Sequence, residues 1–218
     1  MRLIGALAMV AVLAACRDER RTAGAAGRVD AAVAPAAVAP AAVAPAAVAP
    51  VMAGDWASPL GDGSIYDLEL SVRTAEGATV PLASLAGAPV VITMFYASCP
   101  AACPRLIDDL KGIEQDLDPA TRARVRFVLV SFDPARDTPA ALRALADERR
   151  LGAGWLLSAT ADDAARELAA ALGIKYRALD SGEFFHTSVL TVLDETGRPR
   201  ARVEGLGRGH DAVLAALR

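Results

Sequence analysis

Apolar and polar residues follow one another along this chain at spacings that predict both strands and helices. Residues 90–96 form a continuous run rich in β-branched and aromatic side chains, which is typical of a strand buried on both faces. A second such run spans residues 124–132. Between the two runs, apolar residues recur at helical spacing: Leu106, Ile107, Leu110, Ile113 and Leu117. The pattern predicts strand, helix and strand in succession.

Shorter apolar runs and turn residues predict further strands and helices between residues 65 and 218. Strands are predicted at residues 65–73, 79–82, 155–158, 187–193 and 200–204. Helices are predicted from Thr138-Pro139 to about residue 150, from a capping-box-like Thr160 to Leu172-Gly173, and over residues 210–218. This order predicts an α/β fold with a mixed central sheet flanked by helices and an N-terminal β-hairpin extension. It is the element order of a thioredoxin-like fold.

The N-terminal segment predicts export and lipidation. Residues 3–15 form an apolar run of 13 residues, which has the length of a secretory signal and is short for a membrane span. The run ends in Ala14-Ala15-Cys16, which resembles the lipobox of bacterial lipoproteins. That resemblance implies a signal peptide over residues 1–15 and a diacylated Cys16 at the mature N-terminus. An ordinary signal peptide with an incidental Cys and an uncleaved anchor are the alternatives.

A low-complexity linker follows the predicted lipidation site. Residues 31–50 repeat the sequence Ala-Ala-Val-Ala-Pro four times. Proline at every fifth position prevents a helix from propagating and favours extended chain. We therefore expect residues 16–54 to tether a globular domain of residues 55–218 to a membrane, on the periplasmic side of a bacterial cell envelope.

Charge and cysteine usage narrow the function. The net charge of −3 lacks the basic excess of a nucleic-acid-binding protein. The chain has three Cys, of which Cys99 and Cys103 form a Cys-Pro-Ala-Ala-Cys-Pro motif after the first buried strand. Pro104 suits a first helical turn, which places Cys103 at or next to the N-cap. A helix N-terminus favours thiolate, so a redox dithiol and a metal chelate are both possible. A purely structural disulfide is less favoured, because so short a loop constrains the unfolded chain little.

His186 is the predicted third ligand. It directly precedes the late strand, in a loop that a thioredoxin-like sheet packs against the N-terminus of the first helix. Two thiolates and one imidazole suit Cu(I) and tolerate Cu(II), and the same set can hold Zn²⁺ with a water. The Irving–Williams order favours copper wherever copper is present. The other histidine, His210, is expected to be a surface or capping residue of the last helix.

Over residues 66–206 the chain resembles the Sco/SenC proteins, which are copper chaperones of the thioredoxin fold. The motifs are Cys99-Pro-x-x-Cys103-Pro104, the segment Ser131-Phe-Asp-Pro-Ala-Arg-Asp-Thr-Pro139, and His186-Thr-Ser. The resemblance implies one copper on Cys99, Cys103 and His186. It implies delivery of that copper to the dinuclear copper site of a cytochrome c oxidase subunit, or reduction of the cysteines of that site. It also implies a copper donor or a thiol reductant as a further partner.

The role of the Asp133–Pro139 loop stays open between two readings. Asp133, Arg136 and Asp137 satisfy loop backbone or pair with one another, or else they position Cys103 or a partner. A peroxiredoxin is excluded, because Ile92 and Tyr96 stand where its Pro and Thr are required. A general extracytoplasmic thiol–disulfide oxidoreductase without an essential metal is an alternative function. A copper-buffering or copper-sensing lipoprotein is another.

Overall fold

The computed structural model describes Leu60, Gly61 and residues 63–218. The predicted signal peptide, Cys16 and the repeat linker lie outside these residues. Within the described part of the chain, no helix combines the length and the apolar character needed to cross a membrane.

Nine strands and five α-helices make up the described fold. The strands are β1 (Ser71–Thr74), β2 (Thr79–Pro81), β3 (Val90–Phe95), β4 (Arg126–Ser131), β5 (Trp155–Ala159), β6 (Tyr176–Ala178), β7 (Phe184–His186), β8 (Val189–Leu193) and β9 (Pro199–Glu204). The helices are α1 (Ala102–Asp116), α2 (Pro119–Arg124), α3 (Pro139–Arg149), α4 (Asp162–Ala171) and α5 (His210–Ala216). Short 3₁₀ turns occupy Ile65–Leu68 and Leu82–Leu85.

Seven of the strands form one mixed sheet in the order β2-β1-β5-β4-β3-β8-β9. Strands β3, β4 and β5 are parallel, whereas β8 and β1 join them antiparallel on either side. Every residue of β3 is buried, as its sequence predicts for a strand covered on both faces. The α/β fold with a mixed sheet, helices and an N-terminal hairpin is confirmed.

The register of β3 with β8 determines where a site can lie. The pairs run from Val90↔Leu193 to Ile92↔Thr191, so the end of β3 lies beside the beginning of β8. The Thr93 hydroxyl donates to the Val189 carbonyl at 2.7 Å and ties the two ends together. Helix α1, which follows β3, packs on the sheet with the predicted apolar face: Leu106, Ile107, Leu110 and Ile113 are all buried. The segments after β3 and before β8 therefore meet at one edge of the sheet.

Two local predictions are wrong, and one helix was not predicted. Residues 65–68 form a 3₁₀ turn instead of a strand, because Ser64 and Asp67 make a reciprocal capping box. Residues 119–124 form α2, a helix that the apolar pattern does not reveal, capped by the Asp118 carboxylate. Thr160 does not cap α4, since Ala161 occupies the N-cap position. The Thr160 hydroxyl instead donates to the Ser71 carbonyl at 2.8 Å.

Candidate metal centre

Two segments bring the predicted ligands to the edge where β3 ends and β8 begins. Cys99 lies in the loop between β3 and α1, and Cys103 lies in the first turn of α1. His186 is the last residue of β7, which pairs antiparallel with β6 in a separate two-stranded sheet. In that hairpin His186 lies opposite Tyr176. The hairpin therefore delivers the imidazole to the start of α1 from outside the main sheet.

The candidate metal centre is the triad of Cys99, Cys103 and His186. One ligand atom from each of the three lies within 4.8 Å of the others, the one such group of potential ligands in the described part of the chain. Atoms bound to one ion at about 2.0–2.3 Å lie no more than about 4.6 Å apart, so the triad is close to preformed. Both cysteines are buried and His186 is partly exposed. The structure brings together all three predicted ligands, and their binding of a metal stays a prediction.

Cys99 takes the place of a helix cap. Ala101 occupies the N-cap position of α1 and offers no side-chain acceptor. The backbone N–H of Cys103 instead donates to Cys99 Sγ, with the nitrogen 3.4 Å from the sulfur. The first N–H groups of a helix lack partners within it, so a sulfur lone pair or thiolate is a natural acceptor there.

The two thiols differ in acidity. Burial opposes ionisation of Cys99, but hydrogen bonds from the backbone N–H groups of Cys103 and Ala101 outweigh it and lower the pKa of the Cys99 thiol. The Cys103 thiol and the Tyr96 hydroxyl also donate to Cys99 and act in the same direction. Burial raises the pKa of the Cys103 thiol far above its ordinary value, and the neighbouring Cys99 adds to the effect. The helix N-terminus thus favours thiolate at Cys99, and the prediction of that effect at Cys103 is wrong.

The geometry of His186 selects which of its nitrogens is available. Nδ1 lies 3.3 Å from the Thr187 carbonyl oxygen, which can only accept a hydrogen bond. Nδ1 therefore carries the proton, and Nε2 keeps the lone pair that a metal needs. Burial lowers the pKa of His186, against the smaller opposing effect of this hydrogen bond. The imidazole is thus held in its neutral form, the form that binds metals.

An aromatic cluster surrounds the imidazole. The Tyr96 ring meets His186 edge to face, with 5.8 Å between ring centroids. Phe132 approaches the same imidazole at 5.3 Å, and Phe184 packs against both Tyr96 and Phe132. These contacts restrict the orientation of His186. Tyr96 was not among the predicted site residues, although its place three residues before Cys99 was a usable signal.

The Asp133–Pro139 loop supports the same corner of the sheet. The buried Asp137 carboxylate accepts the backbone N–H of Ala97 at 2.8 Å and the Ser131 hydroxyl at 2.5 Å. Ala97 lies two residues before Cys99, so Asp137 fixes the chain that leads to the first thiol. Arg136 pairs with Asp133 within the loop. Of the roles left open by the sequence, pairing within the loop is observed between Arg136 and Asp133, and Asp137 binds backbone beside the site.

His210 lies apart from the triad. It begins α5, and its Nε2 lies 3.0 Å from the Asp116 carboxylate at the end of α1. Its imidazole also faces Gly112, where an added Cβ would lie 3.4 Å from Cε1. His210 thus joins α5 to α1, which agrees with its predicted place at the start of the last helix.

Solved structures share this fold. The chain is 27% identical to the Sco1 protein of Thermus thermophilus, over 68% of this chain and 87% of that one, with a TM-score of 0.57. It is 20% identical to copper-bound ScoI of Bradyrhizobium japonicum, over 68% and 94% of the two chains, with a TM-score of 0.58. Copper-bound yeast Sco1 gives 20% identity over 67% and 84%, and a TM-score of 0.55. These likenesses confirm the thioredoxin-like fold.

Sequence comparison points the same way. A Stutzerimonas stutzeri protein described as copper-binding is 33% identical over 57 residues, which is 26% of this chain and 28% of that protein. The family model of SCO1/SenC matches residues 64–218, nearly the whole of the described part. With the fold, the cysteine motif and this match in agreement, the chain belongs to the SCO1/SenC family.

Proposed function

We propose that this protein is a membrane-anchored copper chaperone that holds one copper ion on Cys99, Cys103 and His186. It delivers the ion to the dinuclear copper site of a cytochrome c oxidase subunit. The observation that carries the proposal is the convergence of two thiol sulfurs and one imidazole nitrogen within 4.8 Å of one another. Copper is here the cargo, which arrives from a donor protein and leaves to an acceptor.

The chemistry of the triad supports copper over harder ions. Two sulfur ligands and one imidazole favour soft Cu(I), and among divalent ions the Irving–Williams order places Cu²⁺ first. The neutral, oriented His186 needs no deprotonation before it binds. In the thiol pair, the lowered pKa of Cys99 favours its deprotonation on binding, whereas the raised pKa of Cys103 opposes the loss of the second proton.

Relatives support both the cargo and its destination. ScoI of Bradyrhizobium japonicum and yeast Sco1 were solved with copper bound. BsSco, 19% identical to this chain, is described as a member of the Sco family of cytochrome c oxidase assembly proteins. The fold and family that this chain shares with them make the oxidase copper site the proposed acceptor.

The same dithiol supports reduction of the acceptor. Cys99 attacks a partner disulfide as the thiolate and forms a mixed disulfide, and one partner sulfur leaves as a thiol after taking up a proton. Cys103 then attacks Cys99 Sγ, loses its proton and releases the second partner thiol. The chain ends with a Cys99–Cys103 disulfide, having given up two electrons and two protons. The lowered pKa of Cys99 makes it the attacking residue.

Copper binding is tested by comparing two histidine variants in the full chain with Cys16→Ser, so that Cys99 and Cys103 are its only thiols. We expect one copper per chain, with thiolate-to-Cu(II) charge-transfer absorption. His186→Ala should weaken copper affinity by about 100-fold or more, because a ligand is lost. The matched control His210→Ala should leave affinity unchanged, since His210 pairs with Asp116 outside the triad. Equal affinity in the two variants would remove His186 from the ligand set and favour the metal-independent oxidoreductase.

Delivery is tested with the purified copper-site subunit of an oxidase in its copper-free form. We expect the copper-loaded chain to transfer its ion to the reduced subunit, which then shows the spectrum of its dinuclear site. With the subunit oxidised, we expect the metal-free dithiol chain to reduce it. Retention of copper and failure to reduce the subunit would leave a copper-buffering protein.

Membrane anchoring is tested at Cys16. A Bacillus anthracis relative, 16% identical, is described as a SCO1/SenC family lipoprotein. If Cys16 carries the lipid, Cys16→Ser should release the protein from membranes into the soluble envelope fraction. Continued membrane association of the variant would indicate an uncleaved apolar N-terminus as the anchor.

A further inference from the structure

The β6–β7 hairpin carries His186 but does not belong to the main sheet. Its strands have three residues each, and in the part of the chain that the structure describes they pair with one another and with no strand of the main sheet. A two-stranded hairpin on its own is at best marginally stable in water. The position of the imidazole therefore depends on contacts between the hairpin and the segments beside it.

Arg136 makes such contacts from the Asp133–Pro139 loop. Its guanidinium carbon lies 5.6 Å from the ring centroid of Phe184 in β7 and 6.0 Å from that of Tyr96, which directly follows β3. It also reaches the turn of the hairpin, where a Cβ on Gly182 would lie 4.0 Å from Nη1. A cation within about 6 Å of a ring centroid is attracted to the ring face. One side chain of the loop therefore contacts the hairpin both at its turn and on its second strand.

The loop holds Arg136 in place. The guanidinium pairs with the Asp133 carboxylate, which is buried. The Arg136 backbone N–H donates to the Asp133 carbonyl at 3.2 Å, and the Arg136 carbonyl accepts the N–H of Thr138 at 2.9 Å. A planar guanidinium that is already oriented by a carboxylate loses little further freedom when it contacts a ring. Arg136 is thus fixed on the side of the loop and can restrain the hairpin.

Phe184 connects this contact to the imidazole. Phe184 and His186 are two positions apart in one strand, so their side chains point to the same face of the hairpin. The His186 ring lies against Tyr96 and Phe132, with centroid distances of 5.8 Å and 5.3 Å. Phe184 packs against the same two rings, at 5.3 Å and 5.1 Å. Loss of the restraint on Phe184 should therefore loosen the face that orients the imidazole.

We propose that Arg136 is a positioning residue of the candidate metal centre: its guanidinium, paired with Asp133, binds the Phe184 ring and so holds the hairpin that carries His186. The part that concerns copper affinity rests on the proposed function, whereas the part that concerns the hairpin does not. Residues outside the ligand set commonly orient the ligands of metal sites. An arginine that served only the loop would need its contact with Asp133 and no ring.

Hydrogen exchange of the reduced, metal-free protein tests the hairpin. The N–H groups of Leu179 and Thr187 donate to carbonyls across the hairpin at 2.8 Å and 2.9 Å. In Arg136→Gln these two amides should exchange about 3- to 10-fold faster, because the hairpin opens more often when the cation–ring contact is lost. The amides of β3 should keep the parent rate, since core strands exchange through global unfolding. An equal increase at β3 would mean a general loss of stability and would overturn the proposal.

A double-mutant cycle on copper affinity tests the link to the imidazole. Arg136→Gln should lower the copper affinity of the parent chain by about 3- to 10-fold. In the His186→Ala background, the same change should alter affinity by less than about twofold, because the ligand that Arg136 positions is gone. An effect that reached the thiols through Asp133 and the loop would persist in that background. All variants are made in the full chain with Cys16→Ser.

Arg143→Gln is the matched control. Like Arg136, Arg143 is about half-exposed and pairs with a carboxylate, that of Glu76 at 3.5 Å. It lies in α3, outside the Asp133–Pro139 loop and the hairpin. The control removes the same charge and the same kind of ion pair. We expect it to leave both the hairpin exchange rates and the copper affinity at the parent values.

The outcomes separate this proposal from the proposed function. Unchanged exchange of the hairpin amides in Arg136→Gln would overturn the positioning role, whatever the copper affinity. Equal losses of copper affinity with and without His186 would also overturn it, because the effect would not pass through the imidazole. Equal effects of Arg143→Gln would assign them to the lost charge and overturn it as well. If the parent chain binds no copper, the proposed function fails, and hydrogen exchange alone decides on Arg136.

Discussion

The backbone N–H of Cys103 donates to Cys99 Sγ, with 3.4 Å between nitrogen and sulfur. The two sulfurs, four positions apart in the sequence, therefore have different hydrogen-bond environments. Cys99 receives the open hydrogen-bond donors at the start of α1, whereas Cys103 lies deeper, with 2% of its surface exposed. The motif is therefore an asymmetric pair, in which Cys99 is the more reactive thiol and Cys103 the more buried one.

We expect iodoacetamide to alkylate Cys99 at least about tenfold faster than Cys103 near neutral pH, because thiolate is the reactive form and Cys99 is the more acidic and more accessible thiol. Peptide mass mapping after substoichiometric labelling of the reduced, metal-free protein measures this ratio. As pH falls, the reaction should persist below the ordinary thiol pKa and cease below the lowered pKa of Cys99. In Cys99→Ser, Cys103 should stay slow. Faster labelling of Cys103 in the parent chain would reverse the assignment of the attacking residue.

Asp137 should be important for both stability and copper binding. Asp137→Ala leaves the Ala97 N–H and the Ser131 hydroxyl without their buried acceptor, which should lower the free energy of unfolding by about 2–4 kcal/mol. Asp137→Asn keeps an acceptor oxygen and should cost less. Urea denaturation measures this loss of stability. We also expect Asp137→Ala to lower copper affinity, because Ala97 leads into the Cys99 loop, and a copper-affinity titration measures that loss. The exposed Asp147→Asn in α3 serves as control and should change neither quantity.

The central elements of the fold could be predicted because burial alone determines them. The apolar run that becomes β3 and the helical spacing of α1 are decided by contact with the core, which the sequence pattern records directly. The segment at Ile65 misleads for the opposite reason. Its apolar residues alternate like those of a strand, but the Ser64–Asp67 capping box bends the backbone into a 3₁₀ turn. There a local hydrogen bond outweighs the pattern.

In the candidate site, too, some features could be predicted from the sequence and others could not. The two thiols are adjacent by chain geometry, so the motif alone brings them together. The approach of His186 depends on the β6–β7 hairpin, whose strands have three residues each and give little periodic signal. The contacts of Tyr96 with His186 and of Asp137 with Ala97 depend on tertiary packing between segments 40 or more residues apart. Spacing in a sequence does not encode such contacts.

The correction at Thr160 gives a paired stability prediction. Thr160→Ala removes the hydroxyl that donates to the Ser71 carbonyl and should lower the free energy of unfolding by about 1 kcal/mol, through the β1–β5 edge and not through α4. Ala161→Ser places a capping hydroxyl at the true N-cap, whose backbone is already extended, and should raise stability by about 0.5–1 kcal/mol. Chemical denaturation of both variants measures the two signs. If Ala161→Ser does not raise stability, α4 begins at a different residue.

His186 should titrate at a pH below the ordinary histidine value of about 6.5, because burial disfavours its cationic form. The unfolded chain then takes up the proton first, so the contribution of His186 to stability is complete above about pH 6.5 and is lost as pH falls toward the lowered pKa. Proton NMR of the metal-free protein measures the midpoint directly, since the chain has two histidines and His210→Ala assigns the signals. In His186→Gln, that part of the acid destabilisation should disappear. A His186 midpoint at or above 6.5 would contradict the buried, neutral imidazole on which ready metal binding depends.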